Sequence, residues 1–145
     1  MTETDAFLLQ DFLPYLLNQA AEATSLDFQK YYKANYGMLR TEWRVLFHLG
    51  RYGNLTAKEI CTHANIHKTK VSRAVVALEA RRFLTRTEVA HDRRHEMLSL
   101  TPKRRAAFDD LVQEAKRYNT RLLSAFTKDE QATVQRFLVR MADKA

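Results

Sequence analysis

Residues 55–80 read LTAKEICTHANIHKTKVSRAVVALEA and predict two short helices separated by a tight turn. Thr56 and Glu59 fit a capping box, in which each side chain accepts a hydrogen bond from the other residue's backbone N–H. After a turn at residues 65–66, a second helix is predicted over residues 67–82, with its apolar residues on one face. Two helices joined by so short a turn are typical of a helix-turn-helix unit.

The residues after this unit predict a β-hairpin and two further helices. Segments 84–89 and 95–100 are rich in Thr, Val and Leu and flank a charged tip at residues 90–94. Thr101 followed by Pro102 predicts the start of a helix that runs to about residue 126. A second capping box, Thr127 to Glu130, then opens a last helix.

The residues before the unit predict two helices. Apolar side chains recur at three- or four-residue spacing along the first of them, at Phe7, Leu8, Phe12, Leu16, Ala20, Phe28, Tyr31 and Tyr32. Pro14 predicts either a kink in that helix or a start near Phe12. The second helix is predicted over residues 38–49, with Gly50 as its stop. With three glycines and two prolines, the chain has little material for the turns of a sandwich or barrel, so a mostly α fold is expected.

The positive charge is concentrated in the middle of the chain. The net charge is +7, and residues 51–105 hold 13 of the 24 basic but five of the 17 acidic residues. Such a field favours a polyanion, because each neutralised phosphate releases condensed counterions. The alternative is a solvated basic surface that aids solubility.

The order and spacing of these elements resemble the MarR family of winged helix-turn-helix regulators. The residues that carry the resemblance are 36–38, 43–46, 55–60, 71–75, Leu78-Glu79, Leu84-Thr85-Arg86, Asp92-Arg93-Arg94 and Leu98-Ser99-Leu100-Thr101. The sequence departs from the family pattern at Arg82 and Arg104, where glycine is usual. These two arginines could alter the turn geometry and the hairpin register that the family pattern implies. The resemblance implies one MarR-type domain over residues 1–145, with a winged helix-turn-helix at about 38–101 and a helical dimerisation region at about 1–37 and 102–145.

The family resemblance implies a DNA-binding role for particular side chains. The predicted helix 67–82 would be the recognition helix in the major groove, with Lys68, Thr69, Lys70, Ser72 and Arg73 as its DNA contacts. Arg73 and Thr69 are expected at the bases, and Lys68 and Lys70 at phosphates. Arg93 and Arg94 would form a wing tip in the minor groove, with Asp92 orienting one of them.

The resemblance also implies a homodimer and a small effector. The expected dimer contacts are Leu8, Leu9, Phe12, Phe126, Phe137, Leu138 and Met141, and the alternative is that they fold into one monomeric core. A crevice for an aromatic or phenolic anion would be lined by Tyr32, Trp43, Arg44, Phe47 and Tyr118, with Arg44 pairing a carboxylate. The alternative is that these aromatic residues belong to the core, as aromatic residues at helical spacing usually do.

The sequence contains no recognisable motif for a catalytic, cofactor or metal site. The three glycines form no phosphate loop, so no cofactor and no enzymatic activity are predicted. The pairs His63/His67 and His91/His95 have a metal-ligand spacing but no third ligand, so no metal is expected. Cys61 is expected to be a small buried hydrophobe.

The sequence also predicts a location and leaves alternatives for function. No basic residue precedes Lys30, and the longest apolar run is residues 74–78, so we expect a cytoplasmic protein with no membrane partner. The main interpretation is a bacterial, homodimeric repressor of pseudo-palindromic operators that a small effector releases. The alternatives are an architectural winged-helix protein that binds DNA non-specifically and a module that binds an acidic protein partner.

Overall fold

The computed structural model describes residues 6–89 and 92–143, with the backbone alone for residues 92–95. A 3₁₀ turn at Leu9–Asp11 precedes helix α1, Leu13–Tyr36. Pro14 lies in the first turn of α1, where its missing N–H has no helical partner to lose, and Phe12 is the N-cap. Of the two predicted outcomes for Pro14, a helix start near Phe12 is therefore the observed one.

Helix α2 spans Arg40–Tyr52 and ends at Gly53, three residues later than predicted. Gly50 is not the stop, because it lies inside the helix. A Cβ at Gly50 would overlap the ring of Phe108, so this glycine provides space for close packing. Gly53, with a φ of +85°, takes the backbone conformation that favours glycine.

The helix-turn-helix is confirmed, with helix α3 at Ala57–Ala64 and helix α4 at Lys68–Ala80. The capping box is formed as predicted: the N–H of Glu59 donates to Thr56 Oγ1 at 3.1 Å, and the N–H of Thr56 donates to Glu59 Oε1 at 2.9 Å. Asn65 ends α3 in the left-handed conformation with a φ of +53°. Helix α4 ends two residues before the predicted boundary, because Arg82 leaves the helical conformation with a φ of +63°.

A three-stranded antiparallel sheet forms the wing and its base, in the order β1-β3-β2. Strand β1 is Leu55–Thr56, β2 is Leu84–Val89 and β3 is Asp92–Leu100. The predicted second strand began at residue 95, which is wrong by three residues, because Asp92 already pairs with Val89 beyond a register shift at Glu88/Val89. Strand β1 is not predicted from the sequence, because its two residues form a strand by pairing with β3 and have no pattern of their own.

The chain divides into two compact units, and the boundary lies between Val112 and Gln113. The first unit has a continuous apolar core drawn from α1, α2, β1, α3, α4, the wing strands and residues 107–111. Its most deeply buried side chains are Tyr32, Met38, Val45, Leu46, Leu49, Ile60, Val71, Leu78, Leu84, Leu98 and Leu111. This core fixes the orientation of α4 within the unit.

The last two helices are α5, Arg105–Leu123, and α6, Lys128–Ala142. Thr101 does not cap α5, because its hydroxyl donates to the carbonyl of Arg82 at 2.8 Å and a 3₁₀ turn at Pro102–Arg104 intervenes. The Thr127–Glu130 capping box is formed as predicted. Among the described residues, no helix is long and apolar enough to cross a membrane.

Candidate nucleic-acid interface

Helix α4 has one buried side and one exposed side. Val71, Ala74, Val75 and Leu78 are buried, whereas all five predicted DNA contacts on α4 are exposed: Lys68, Thr69, Lys70, Ser72 and Arg73. At about 100° per residue, Thr69, Ser72 and Arg73 lie on one arc of about 100°. Lys70 lies about 160° from Ser72, at the edge of the exposed side. The structure therefore places Thr69, Ser72 and Arg73 on one arc, with Lys70 about 60° beyond Arg73 at the edge of the exposed side.

The N-terminal end of α4 is suited to a phosphate. His67 is the N-cap, and its Nδ1 accepts a hydrogen bond from the N–H of Thr69 at 3.2 Å. The first turn holds no acidic residue. Since the helix dipole places partial positive charge at this end, the basic side chains of the first turn add to a field that attracts anions.

Arg81 holds the other end of α4 in place, a role that sequence reasoning missed. Its Nη1 donates to the carbonyls of Tyr36 at 2.8 Å and Gly37 at 2.7 Å, and its Nη2 pairs with Glu42 Oε1 at 2.5 Å. The Glu42 side chain is only 7% exposed, so its charge needs this partner. The guanidinium thus joins the end of α4 to the α1–α2 junction.

The two departures from the family pattern have a structural explanation. Arg82 takes the left-handed conformation that glycine adopts most easily, so the turn keeps its geometry despite the side chain. The guanidinium of Arg104 lies 4.4 Å from the centroid of the Phe83 ring and donates to the carbonyl of Arg81 at 3.2 Å. The predicted hairpin is present, with the start of its second strand corrected as above.

The wing is attached to α4 through a charged pair. Arg86 Nε on β2 donates to Glu79 Oε1 on α4 at 2.9 Å. Asp92, Arg93 and Arg94 lie at the start of β3. Their side chains are outside the described part of the structure, so their predicted roles stay predictions.

The predicted effector residues fall into two groups. Tyr32, Trp43 and Phe47 belong to an aromatic cluster, with ring centroids 6.3 Å apart for Tyr32–Trp43 and 5.6 Å apart for Trp43–Phe47. Tyr32 is only 1% exposed, which makes it a core residue, while Arg44 is exposed. Burial raises the pKa of the Tyr32 hydroxyl, with nearby Arg40 and Arg44 opposing that shift. Tyr118 is half-buried in the second unit.

Two tyrosines near this cluster share a carboxylate that sequence reasoning missed. The hydroxyls of Tyr31 and Tyr36 each donate to Asp110 Oδ2 at 2.6 Å. Burial, followed by the hydrogen bond to Asp110, raises the pKa of Tyr36 above its ordinary value. The spacing along the chain gave no signal for this contact, because Asp110 lies 74 residues beyond Tyr36.

The predicted dimer residues are exposed apolar side chains. The exposed fractions range from 40% for Phe137 to 56% for Leu9, and Met141 is half-buried. This set is Leu8, Leu9, Phe12, Phe126, Phe137, Leu138 and Met141.

The histidines and the cysteine have local structural contacts. The rings of His63 and Tyr52 lie 5.8 Å apart, and His67 caps α4, so these two histidines have different partners. Within residues 6–89 and 92–143, no three metal-ligating side chains form a cluster. Cys61 is half-buried against the core of the first unit.

A helix-turn-helix with a basic exposed face beside a β-hairpin defines a winged helix-turn-helix DNA-binding protein. The model of the MarR family matches residues 36–95. The matched residues include the whole helix-turn-helix, and the family that they match consists of DNA-binding transcriptional regulators rather than enzymes.

Similar proteins include both sequence relatives and solved structures. YwaE, an HTH-type transcriptional regulator of Bacillus subtilis, is 25% identical over 127 residues, which span 88% of this chain and 74% of YwaE. The MarR family regulator SPO1453 of Silicibacter pomeroyi is 28% identical, with a TM-score of 0.81 over 95% of this chain and 98% of its own. BpsR of Bordetella bronchiseptica has a TM-score of 0.87 at 21% identity, over 95% of this chain and 98% of its own.

Proposed function

We propose that this regulator is a cytoplasmic, homodimeric repressor that binds pseudo-palindromic operators and is released by a small aromatic anion. The observation that carries the proposal is the exposed face of α4, where Thr69, Ser72 and Arg73 are presented by a helix whose other side is fully packed. A helix fixed in this way can hold base-reading groups at a constant depth in the major groove.

Each exposed residue has a distinct role in this proposal. Arg73 donates two hydrogen bonds to a guanine, and Thr69 reaches the neighbouring base edge. Lys68 and Lys70 neutralise phosphates on the two flanks of the groove, which agrees with their different positions around the helix. Ser72 contributes a hydroxyl between them. In this proposal Arg93 and Arg94 of the wing bind the minor groove, and Asp92 orients one of the two guanidiniums.

The exposed apolar residues near the two ends of the chain support the proposed homodimer. Burying the exposed side chains of Leu9, Phe126, Phe137 and Leu138 contributes about 25 cal/mol per Å² of apolar area. A two-fold dimer presents two copies of α4, so the operator would contain two half-sites about one helical turn apart.

The effector proposal is supported by aromatic surface beside positive charge. Trp43 and Phe47 are half-buried rather than fully buried, and Arg44 is exposed on the same helix. A planar anion could stack on the rings and pair with the guanidinium. BpsR, a structural neighbour, has its DNA binding regulated by 6-hydroxynicotinic acid, which is such an anion.

The experiment is to select bound duplexes from a random pool and to compare the selected duplex with a scrambled one at one salt concentration. We expect a large preference for the selected duplex, and we expect Arg73→Ala to weaken that binding by about 10- to 100-fold. Arg121→Ala, an exposed arginine on α5, is the matched control and should leave binding unchanged.

The same experiment separates the other candidate functions. Equal affinity for the selected and scrambled duplexes would support an architectural protein instead. A folded dimer that binds neither duplex at low salt would support a protein-interaction module. An Arg73→Ala variant with unchanged duplex affinity would overturn the assignment of α4 as the recognition helix.

A further inference from the structure

The exposed face of α4 contains one large apolar residue, Val76. Its side chain is 59% exposed, whereas the adjacent Val75 is 2% exposed. At about 100° per residue, Val76 lies about 40° from Ser72 and about 60° from Arg73. Val76 therefore lies in the middle of the arc formed by the proposed base contacts, on the side opposite the core.

The surroundings of Val76 belong to the same surface. Ser72 on α4, Lys58 near the start of α3 and Arg86 on the wing line one shallow recess together with Val76. Lys58, Ser72 and Arg86 are all exposed. Glu96 on β3 also lines this recess, and Arg86 is paired with Glu79, so Lys58 is the cation that we expect to contact a phosphate here. A phosphate contact at Lys58 would bring Val76 towards the floor of the groove.

The side chains of α4 offer few hydrogen bonds with which to recognise an A·T pair. Helix α4 contains no Asn or Gln, the residues that recognise adenine through two hydrogen bonds. Its single carboxylate, Glu79, is paired with Arg86 and is therefore occupied rather than directed at cytosine. Thr69 can contact a thymine methyl near the start of α4, and Val76, two turns further along the helix, is the exposed apolar side chain that can contact a second one.

We propose that Val76 is a specificity-determining residue whose isopropyl group contacts the 5-methyl group of a thymine in the major groove. This inference rests on the proposed insertion of α4 into that groove. Arg73 and Val76 are three residues apart, a rise of about 4.5 Å along the helix. The thymine is therefore about one or two base pairs from the guanine that Arg73 contacts, since stacked bases are about 3.4 Å apart.

The test replaces thymine by deoxyuridine, which removes only the methyl group. In the duplex selected by the wild-type protein, each thymine of one half-site is replaced in turn, and the affinity is measured at fixed salt. We expect one position, next to the Arg73 contact, at which deoxyuridine weakens wild-type binding by about fourfold, the value of one buried methyl group.

Two variants connect that effect to Val76. Val76→Ser should bind the thymine and deoxyuridine duplexes equally at this position, while Val76→Ile, which keeps an apolar group, should retain the preference for thymine. Both variants change an exposed position, so their melting temperatures should match the wild-type value. All other thymine positions should respond alike in the three proteins.

The outcomes distinguish this inference from the function on which it rests. If the wild type binds the selected duplex specifically but every thymine position responds equally in wild type and Val76→Ser, Val76 reads no methyl group and only this inference is overturned. If the wild type shows no preference among duplexes, both the inference and the proposed sequence-specific function are overturned.

Discussion

The two units of the chain are specified in different ways. The first unit buries apolar side chains from nearly every element, including Leu46 and Val71 with no exposed surface. In the second unit, none of the described side chains of α6 is buried, and the contacts that define the α5–α6 turn are polar. Gln131 Nε2 donates to the carbonyls of Leu123 at 2.9 Å and Phe126 at 3.0 Å.

The difference indicates which unit is complete in one chain. Residues 38–111 of the first unit bury most of their apolar side chains in one core, so this part of the fold follows from its own packing, whereas Leu8, Leu9 and Phe12 at the start of the same unit are exposed. In the second unit the capping box of α6 is formed, but Phe126, Phe137 and Leu138 are exposed, and grouped exposed apolar residues are typical of a surface that binds a partner. We therefore expect the first unit to respond to core mutations and the second to respond to mutations that change association.

The largest expected effect comes from placing a charge on the apolar face of α6. Phe137→Asp would bury a carboxylate without a partner in the proposed dimer, so we expect association to weaken by about a thousandfold. Analytical ultracentrifugation over a range of concentrations measures this. Gln135→Asp, on the other side of α6, is the control and should remain dimeric. A Phe137→Asp protein as dimeric as wild type would remove the contrast between the units.

Next in size is the loss of a core side chain in the winged unit. Leu46→Ala removes a side chain with no exposed surface and should lower the free energy of unfolding by about 2–5 kcal/mol. Leu39→Ala, at a leucine that is 56% exposed, is the matched control and should cost less than about 1 kcal/mol. Urea unfolding at one protein concentration measures both. Equal effects would mean that the core does not carry the stability of this unit.

A smaller effect is expected from the pair that fixes the end of α4. Glu42→Gln keeps the shape of the side chain but removes the charge that faces Arg81, and should cost about 1–3 kcal/mol of unfolding free energy. Glu114→Gln removes a carboxylate of the helical Arg117 pair and should cost less than about 1 kcal/mol. If the two variants are equally stable, Arg81 does not hold α4 through Glu42.

The smallest effect concerns the pH dependence of the winged unit. The pKa of Tyr36 is raised in the folded protein, so its proton is retained there at a pH where the unfolded chain loses it. This contribution is complete below the ordinary tyrosine pKa of about 10 and is lost as the pH rises above it. At pH 11 we expect this loss to lower the free energy of unfolding by about 1 kcal/mol or less, because Tyr36 is partly exposed.

The measurement for Tyr36 compares unfolding free energies at pH 8 and pH 11. Tyr36→Phe cannot ionise, so its loss of stability between these values should be smaller than that of the wild type. Tyr52→Phe, which is 55% exposed in the wild type, is the control and should follow the wild-type curve. Identical losses for Tyr36→Phe and wild type would show that burial and the Asp110 contact do not raise the pKa of this hydroxyl.

Local signals in the sequence predicted most of the helices. Thr56 and Thr127 were identified as N-caps because their glutamate partners are three residues away, and the contacts are formed. The spacing of Val71, Ala74 and Leu78 identified the buried side of α4, which also fixed the exposed side. The family comparison confirmed the winged helix-turn-helix class.

The errors arose where distant residues decide the structure. Glycine is a residue that commonly ends helices, so Gly50 is predicted as the stop of α2. Phe108 packs against Gly50 instead, and the helix continues to Gly53. Strand β1 exists because Leu55 pairs with Leu98, and Arg81 binds carbonyls more than forty positions away. Neither contact leaves a periodic pattern in the sequence. The roles of the candidate DNA, dimer and effector residues remain predictions that the experiments above test.

The most direct test of the account is the mass of the complex between the wild-type protein and its selected duplex, measured by light scattering at saturation. The account predicts two chains on one duplex, with half-sites whose centres are about 34–36 Å apart. A complex with one chain on each duplex, or equal complexes with scrambled DNA, would contradict it.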